Sequence, residues 1–232
     1  MKRSYLCAKM KPEREMKLEV CCADWASVMA AKAGGAHRIE LCEALELDGL
    51  TPGSELIGKA VESGIRVHVL IRPREGDFVY SEAEVRLMIQ QIAEARQLGA
   101  QGVVWGALTG EGRIDVPLCR RLMEASRGMS VTFHRAFDVC REPLAALEDI
   151  ISLGCHRLLT SGQAPSALQG IPLLRQLVAQ AAGRIIIMPG AGVSPQNAAQ
   201  ILSETGATEI HGSLRMEGHT SEAMVREVVG AL

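Results

Sequence analysis

Eight short β-branched runs, each followed by an Ala/Leu/Arg-rich segment of helical spacing, predict an α/β fold: a parallel eight-stranded (β/α)8 TIM barrel. Three observations carry this prediction. The 232 residues divide into units of about 29. Helix start and stop signals recur between the strand runs. No Pro/Gly/Ser linker or charge block splits the chain. A doubly wound open sheet would use the same units, since strand count alone does not prove closure.

The expected strands are 17–22, 38–42, 66–71, 102–105, 130–133, 157–160, 185–188 and 208–211. Between them, Thr51-Pro52 offers a cap and a first-turn proline, and Ser81 with Glu84 spells a capping box. Asp115, Ser194-Pro195 and Ser221 open later helices in the same way. Gly34-Gly35, Gly64, Gly99, Gly154 and Gly206 fall where helices should stop, just ahead of the next strand. The organisation is one barrel domain over residues 16–232, preceded by an N-terminal extension, residues 1–15.

Composition narrows the function. A net charge of −2 and only 2 Trp, 2 Tyr and 3 Phe leave neither a basic face nor stacking platforms for nucleic acid. No run approaches the length of a membrane span, and residues 1–15 are basic and polar without the apolar stretch of a secretory signal. A cytoplasmic chain is expected, with its 7 cysteines reduced.

Strand alternation then sorts the side chains. Leu18 and Val20 oppose Glu19 and Cys21; Ile39 and Leu41 oppose Glu40 and Cys42; Val67 and Val69 oppose His68, Leu70 and Arg72. The fifth and eighth strands repeat the pattern at Thr132, His134, Glu209 and His211. The apolar face must meet the helices, so the polar set is expected inside the barrel: Glu19, Glu40, His68, Arg72, His134, Glu209 and His211. A barrel interior is ordinarily filled by branched apolar residues, and buried charges need partners. Either these residues satisfy one another in an Arg–Glu–His network, or they form a ligand or catalytic site at the strands' C-terminal mouth.

The loops supply further candidates. After the third strand, Arg72, Arg74 and Asp77, stiffened by Pro73, suit bidentate capture of a carboxylate or phosphate, or a plain surface salt bridge. After the fifth, His134 is followed by Arg135 and by Asp138, which is placed either to orient the imidazole or to neutralise Arg135. Ser161 and Gly162 after the sixth strand, Gly190 and Gly192 after the seventh, and Ser213 after the eighth let backbone N–H groups approach a ligand, where barrels commonly hold anions. Two motifs mislead. Residues 53–60 nearly spell a phosphate-binding P-loop, but Ala60 stands where Ser or Thr is required; Gly190-Ala-Gly192 lacks the third glycine of a dinucleotide fingerprint.

The segments Leu18-Glu-Val-Cys21, Gly35-Ala-His-Arg-Ile-Glu-Leu-Cys42, Gly49-Leu-Thr-Pro52, Ile71-Arg-Pro-Arg74, Gly76-Asp-Phe78, Val131-Thr-Phe-His-Arg-Ala-Phe-Asp138, Leu159-Thr-Ser-Gly162 and Met188-Pro-Gly-Ala-Gly192 strongly resemble the CutC family of copper homeostasis proteins. The likeness runs from about Leu18 to Ser213. It implies a cytoplasmic (β/α)8 barrel that associates as a homodimer or homotetramer and binds Cu(I), with Cys21 and Cys42 at the positions of the proposed copper ligands. One departure is the stretch after the eighth strand: residues 214–220 are shorter than the family's usual segment, which puts any ligand wall built from it in doubt.

Soft Cu(I) does favour thiolates, yet neighbouring barrel strands present inward residues at different heights, and buried thiols are common without function. Copper also leaves the charged mouth without a use. Glu19, Glu40, His134 and Asp138, with His68, Arg72, Arg74, Asp77, Arg135 and His211 holding charge, suit acid–base chemistry on a small anionic molecule. A copper-binding protein and a barrel enzyme of lyase, isomerase or hydrolase type, acting on a phosphorylated, carboxylated or sugar-like metabolite, are therefore both expected to be tested by what the mouth contains.

Overall fold

A computed structural model of the chain describes residues 16–232, and the extension 1–15 lies outside the described residues. Eight strands alternate with eight helices. They are β1 (Lys17–Cys22), α1 (Trp25–Ala33), β2 (Arg38–Leu41), α2 (Ser54–Glu62), β3 (Val67–Leu70), α3 (Glu82–Gln97), β4 (Gly102–Trp105) and α4 (Val116–Ala125). The second half continues with β5 (Ser130–Phe133), α5 (Pro143–Leu153), β6 (Arg157–Thr160), α6 (Ile171–Ala181), β7 (Ile186–Pro189), α7 (Ala198–Thr205), β8 (Glu209–Gly212) and α8 (Glu222–Gly230). A small antiparallel hairpin, β9 (Arg215–Met216) and β10 (His219–Thr220), occupies the stretch between β8 and α8.

The strands pair in parallel in the order β7-β6-β5-β4-β3-β2-β1-β8. β7 and β8 pack side by side but share no ladder among the described residues, so the (β/α)8 barrel closes along a seam rather than by hydrogen bonds. Alternation divides the strands as the sequence indicates. Leu18, Val20, Ile39, Leu41, Val67, Val69, Val103, Trp105, Val131 and Phe133 join the helices in one continuous apolar shell around the barrel. Cys22 belongs to this outer shell, with Cys119, Cys140 and Cys155. A separate small cluster of Cys21, Cys42, Leu70 and Val104 lies within it.

Capping follows the local chemistry. The Ser81–Glu84 box is present at α3, and Asp115 and Ser221 accept amide hydrogens from Leu118 and Met224. Gly154 and Gly206 end α5 and α7 in the left-handed conformation that a side chain resists. Two expected starts are displaced. α2 begins at Ser54 behind Gly53, because the Thr51 hydroxyl instead accepts the Arg72 amide at 2.8 Å. α7 begins after Asn197, whose carboxamide accepts the Ser194 amide at 2.9 Å.

One backbone crossing limits substitution. A Cβ at Gly170 would stand 1.8 Å from the Ser161 carbonyl oxygen, and one at Gly162 would stand 2.6 Å from the Gly170 carbonyl oxygen. Gly170→Ala is expected to destabilise the barrel by about 1–3 kcal/mol through overpacking. The loss is readable as a lowered midpoint of thermal unfolding; an unchanged midpoint would show that the crossing is free to relax.

Candidate functional site

The inward-facing polar side chains form two tiers. In the lower tier Arg38, one strand over from Glu19, bonds the Glu19 and Glu209 carboxylates with its Nε and Nη2. Arg157 grips Glu209 with Nε at 2.7 Å and Nη2 at 3.2 Å, and donates to the Ser130 hydroxyl at 2.8 Å. His68 adds an imidazole with Nδ1 3.6 Å from Glu19. Burial alone would raise the Glu19 pKa, but Arg38, then His211 and His68, hold it well below the usual carboxylate range. Burial pushes His68 down to about 4, so it is neutral at physiological pH. Arg38, Arg157, Glu19 and Glu209 satisfy one another as an internal Arg–Glu network, while the buried His68 Nδ1 beside it meets no hydrogen-bond partner.

The upper tier opens into a cavity of about 580 Å³ at the C-terminal ends of the strands. On one wall, β1 and β2 register Cys21 against Glu40 rather than against Cys42. Cys42 lies one residue past β2, and its Sγ still reaches the Cys21 Sγ at 3.5 Å. His211, from β8, bonds Glu19 through Nδ1 at 2.9 Å and places Nε2 3.6 Å from Glu40. Ligand atoms of Cys21, Glu40 and His211 all lie within 4.8 Å of one another, a group able to hold a metal ion.

Electrostatics tune this wall. The hydrogen bond with Cys42, then burial, raise the Cys21 thiol well above its usual range. Burial lifts the Glu40 carboxyl, His211 opposes and the Glu19 charge adds, with a net upward shift. Burial would lower His211, but its bonds to Cys21 and Glu19 and the charges of Glu40 and Glu19 hold it well above the ordinary histidine value, as an imidazolium.

Further round the cavity, the loop after β3 brings in Arg72 and the end of β5, opposite β1, brings in His134. Arg72 is buried, with its guanidinium 5.2 Å from the centroid of the Phe78 ring. His134 is also buried, and burial together with the Arg72 charge depresses it to about 3. At neutral pH its ring is therefore uncharged.

Of the expected residues, Cys21, Glu40, Arg72, His134, Arg135, Asp138, Gly192, His211 and Ser213 line this one cavity. Others lie elsewhere for identifiable reasons. Glu19 and His68 sit in the tier below, tied to Arg38 and His211. Cys42 is fully buried behind Cys21. Arg74 and Asp77 pair at 2.8 Å on the outer side of their loop, where Arg74 also bonds Glu84 and the Val79 carbonyl, so they form a surface salt bridge. Asp138 does not touch the His134 ring. Its carboxylate takes Arg135 Nε at 2.7 Å, the Thr160 hydroxyl at 2.5 Å and the Ser161 amide at 3.0 Å. The Gly162 amide is taken by the Thr160 hydroxyl at 2.9 Å. Ser161 and Gly162 therefore have no free amide to offer an anion. Gly190 serves packing, since a Cβ there would meet Leu159 at 2.5 Å.

Arg38 and Arg157, which neutralise the lower tier, escape a reading centred on acids and histidines. The signal was available: Arg38 lies two residues before Glu40, and Arg157 two before Leu159, a residue of the cavity wall. Phe78 and Asp48, also in the wall, come from loops with no period to place them. The short stretch after β8 still braces the rim: the Thr220 amide donates to the Ser27 hydroxyl at 3.1 Å, and His219 meets Asp24 at 3.1 Å.

Comparison with known proteins shows the family and the fold. The model described as the CutC family matches residues 16–216. A family protein CutC of Bacteroides thetaiotaomicron is 54% identical over 204 residues, covering 87% of this chain and 82% of that one. A Pasteurella multocida family protein CutC is 52% identical over 197 residues, covering 84% and 81%. The solved structure of CutC from Streptococcus agalactiae, a copper homeostasis protein by name, superposes with a TM-score of 0.82 at 33% identity, covering 85% of this chain and 98% of that one.

Proposed function

The chain belongs to the CutC family, and from that premise we propose that it binds Cu(I) as cargo through the paired thiols of Cys21 and Cys42. The observation that carries this reading is the 3.5 Å contact between the two sulfurs beside the cavity. Thiolates are the soft ligands Cu(I) favours, and few are needed. His211 and Glu40 stand alongside as further donors. Because a raised thiol pKa keeps Cys21 protonated, the ion must displace a proton to bind, and affinity rises with pH. The reading includes a cytoplasmic, reducing location and association as a homodimer or homotetramer, which sedimentation tests. Among the described residues no helix is long and apolar enough to cross a membrane.

Anaerobic titration with Cu(I) against a competing chelator tests the site. One ion per chain is expected, with proton release, and binding should fall by more than about a hundredfold in Cys21→Ser/Cys42→Ser, since each lost thiolate removes a principal ligand. Unchanged affinity in the double variant overturns the assignment.

A second reading, a barrel enzyme working on a small anionic molecule, is favoured by Glu40. Its raised carboxyl lines the cavity and is suited to exchange a proton there. Glu19 is held ionised under Arg38 and His211 and serves to position His211.

A further inference from the structure

Two buried side chains of the cavity wall, Arg72 after β3 and His134 after β5, hold donors that meet no acceptor. In ring order β5 lies across the barrel from β1, so His134, after β5, faces the strand that ends in Cys21 and Cys22. The His134 ring is fixed from several sides. Its Nδ1 accepts the Ala136 amide at 3.1 Å, and the Phe78 and Phe133 rings lie 5.0 and 6.1 Å away, centroid to centroid. Only glycine fits behind it, because a Cβ at Gly106 would stand 2.6 Å from Nδ1. An accepting Nδ1 leaves the proton of a neutral ring on Nε2, and that buried Nε2 has no partner.

Arg72 is equally constrained. Its Nη1 donates to the carbonyls of Leu47 and Gly49 at 2.7 and 3.0 Å, and its Nη2 to that of Gly76 at 3.1 Å. Its buried Nε has no acceptor. Among the described residues no carboxylate lies within 4.0 Å of this guanidinium, so a buried positive charge has carbonyl dipoles around it and no counter-ion. Phe78 sits against both groups, 5.2 Å from the guanidinium and 5.0 Å from the imidazole. An unpaired buried donor and an uncompensated buried charge are each costly. Two of them lining one cavity are what an anionic ligand would satisfy.

We propose that Arg72 and His134 form a site for the carboxylate of a small organic acid, with the guanidinium supplying charge and the His134 Nε2–H a directed, uncharged hydrogen bond. Charge favours carboxylate over phosphate. One guanidinium already bonded to three carbonyls, beside a neutral imidazole, offsets a single negative charge, whereas a phosphate dianion calls for more. The cavity, at about 580 Å³, is far larger than a carboxylate, and Leu70, Leu159 and Val193 offer apolar wall for the rest of the molecule. The site rests on the enzyme reading of the cavity but requires binding alone, not turnover.

Long-range proton–nitrogen NMR on metal-free, reduced protein carrying 15N-histidine tests this. The unliganded protein should show His134 at neutral pH with its proton on Nε2. Millimolar pyruvate should shift that Nε2 signal, while the same concentration of inorganic phosphate leaves it in place. His134→Phe should weaken pyruvate binding about tenfold to a hundredfold, the effect of losing one hydrogen bond to a charged group. His134→Gln, which keeps a donor, should recover part of the loss. A shift with phosphate at lower concentration than with pyruvate overturns the carboxylate assignment and leaves an enzyme for phosphorylated molecules standing. A response to neither probe overturns the site itself.

Discussion

Arg38→Met is expected to destabilise the barrel by about 3–5 kcal/mol, the range for breaking a buried charge pair by removing one partner. Arg38 bonds both Glu19 and Glu209, and all three are buried. Without it, among the described residues, Glu19 keeps only the imidazoles of His211 and His68, and Glu209 keeps only Arg157. The loss belongs to the orphaned carboxylates rather than to the missing guanidinium. Arg38→Met combined with Glu19→Gln should therefore recover much of it, because Glu209 keeps Arg157 and an amide is far cheaper to bury than an unpaired charge. Urea unfolding of the single and double variants decides the matter. A cost below about 1 kcal/mol for Arg38→Met alone would show that water or rearrangement replaces the guanidinium.

Acidification is expected to weaken the fold progressively below pH 6.5, with His68 and His134 as the principal histidines responsible. Their pKa values are depressed to about 4 and about 3 from the ordinary 6.5, chiefly by burial. Between those values and 6.5 the unfolded chain binds protons that the folded chain refuses, so stability falls as pH falls. Each histidine contributes a slope of about 1.4 kcal/mol per pH unit within its window. Glu19, also depressed, adds to the loss only below the ordinary carboxylate pKa of 4.5. Glu40 and His211 are raised and act with the opposite sign, Glu40 just above 4.5 and His211 on the alkaline side of 6.5. Chemical denaturation at pH 5, 6 and 7 should show a shallower acid slope in His134→Gln, by about 1.4 kcal/mol per unit. An identical slope would mean that His134 is protonated in the folded protein.

Much of this architecture is legible in the sequence. Period-two alternation in Leu18-Glu19-Val20-Cys21 and Ile39-Glu40-Leu41-Cys42 sorts core from interior because a strand has only two faces. The Ser81–Glu84 box worked for a related reason: capping is local chemistry, complete within four residues. What failed was placement in loops, where no period constrains direction. Arg72 and Arg74 are two residues apart, yet one enters the cavity and the other pairs with Asp77 and Glu84 outside it. Asp138 stands four residues from His134 and instead accepts from the Thr160 hydroxyl and the Ser161 amide, a contact set by a neighbouring strand and invisible to spacing. Arg38 was missed differently: alternation placed it, and only attention to acids and histidines passed it over.

The lower tier has a consequence for traffic. Glu19, Arg38, Glu209 and His68 are buried in the barrel below the cavity, so among the described residues the barrel has the form of a well open at the strand ends and not of a conduit. Whatever reaches Cys21 and whatever reaches Arg72 must enter and leave through the same opening at the strand ends. Cargo cannot pass through; it must be handed back at the side from which it came. An ion at Cys21 and an acid at Arg72 would share that vestibule.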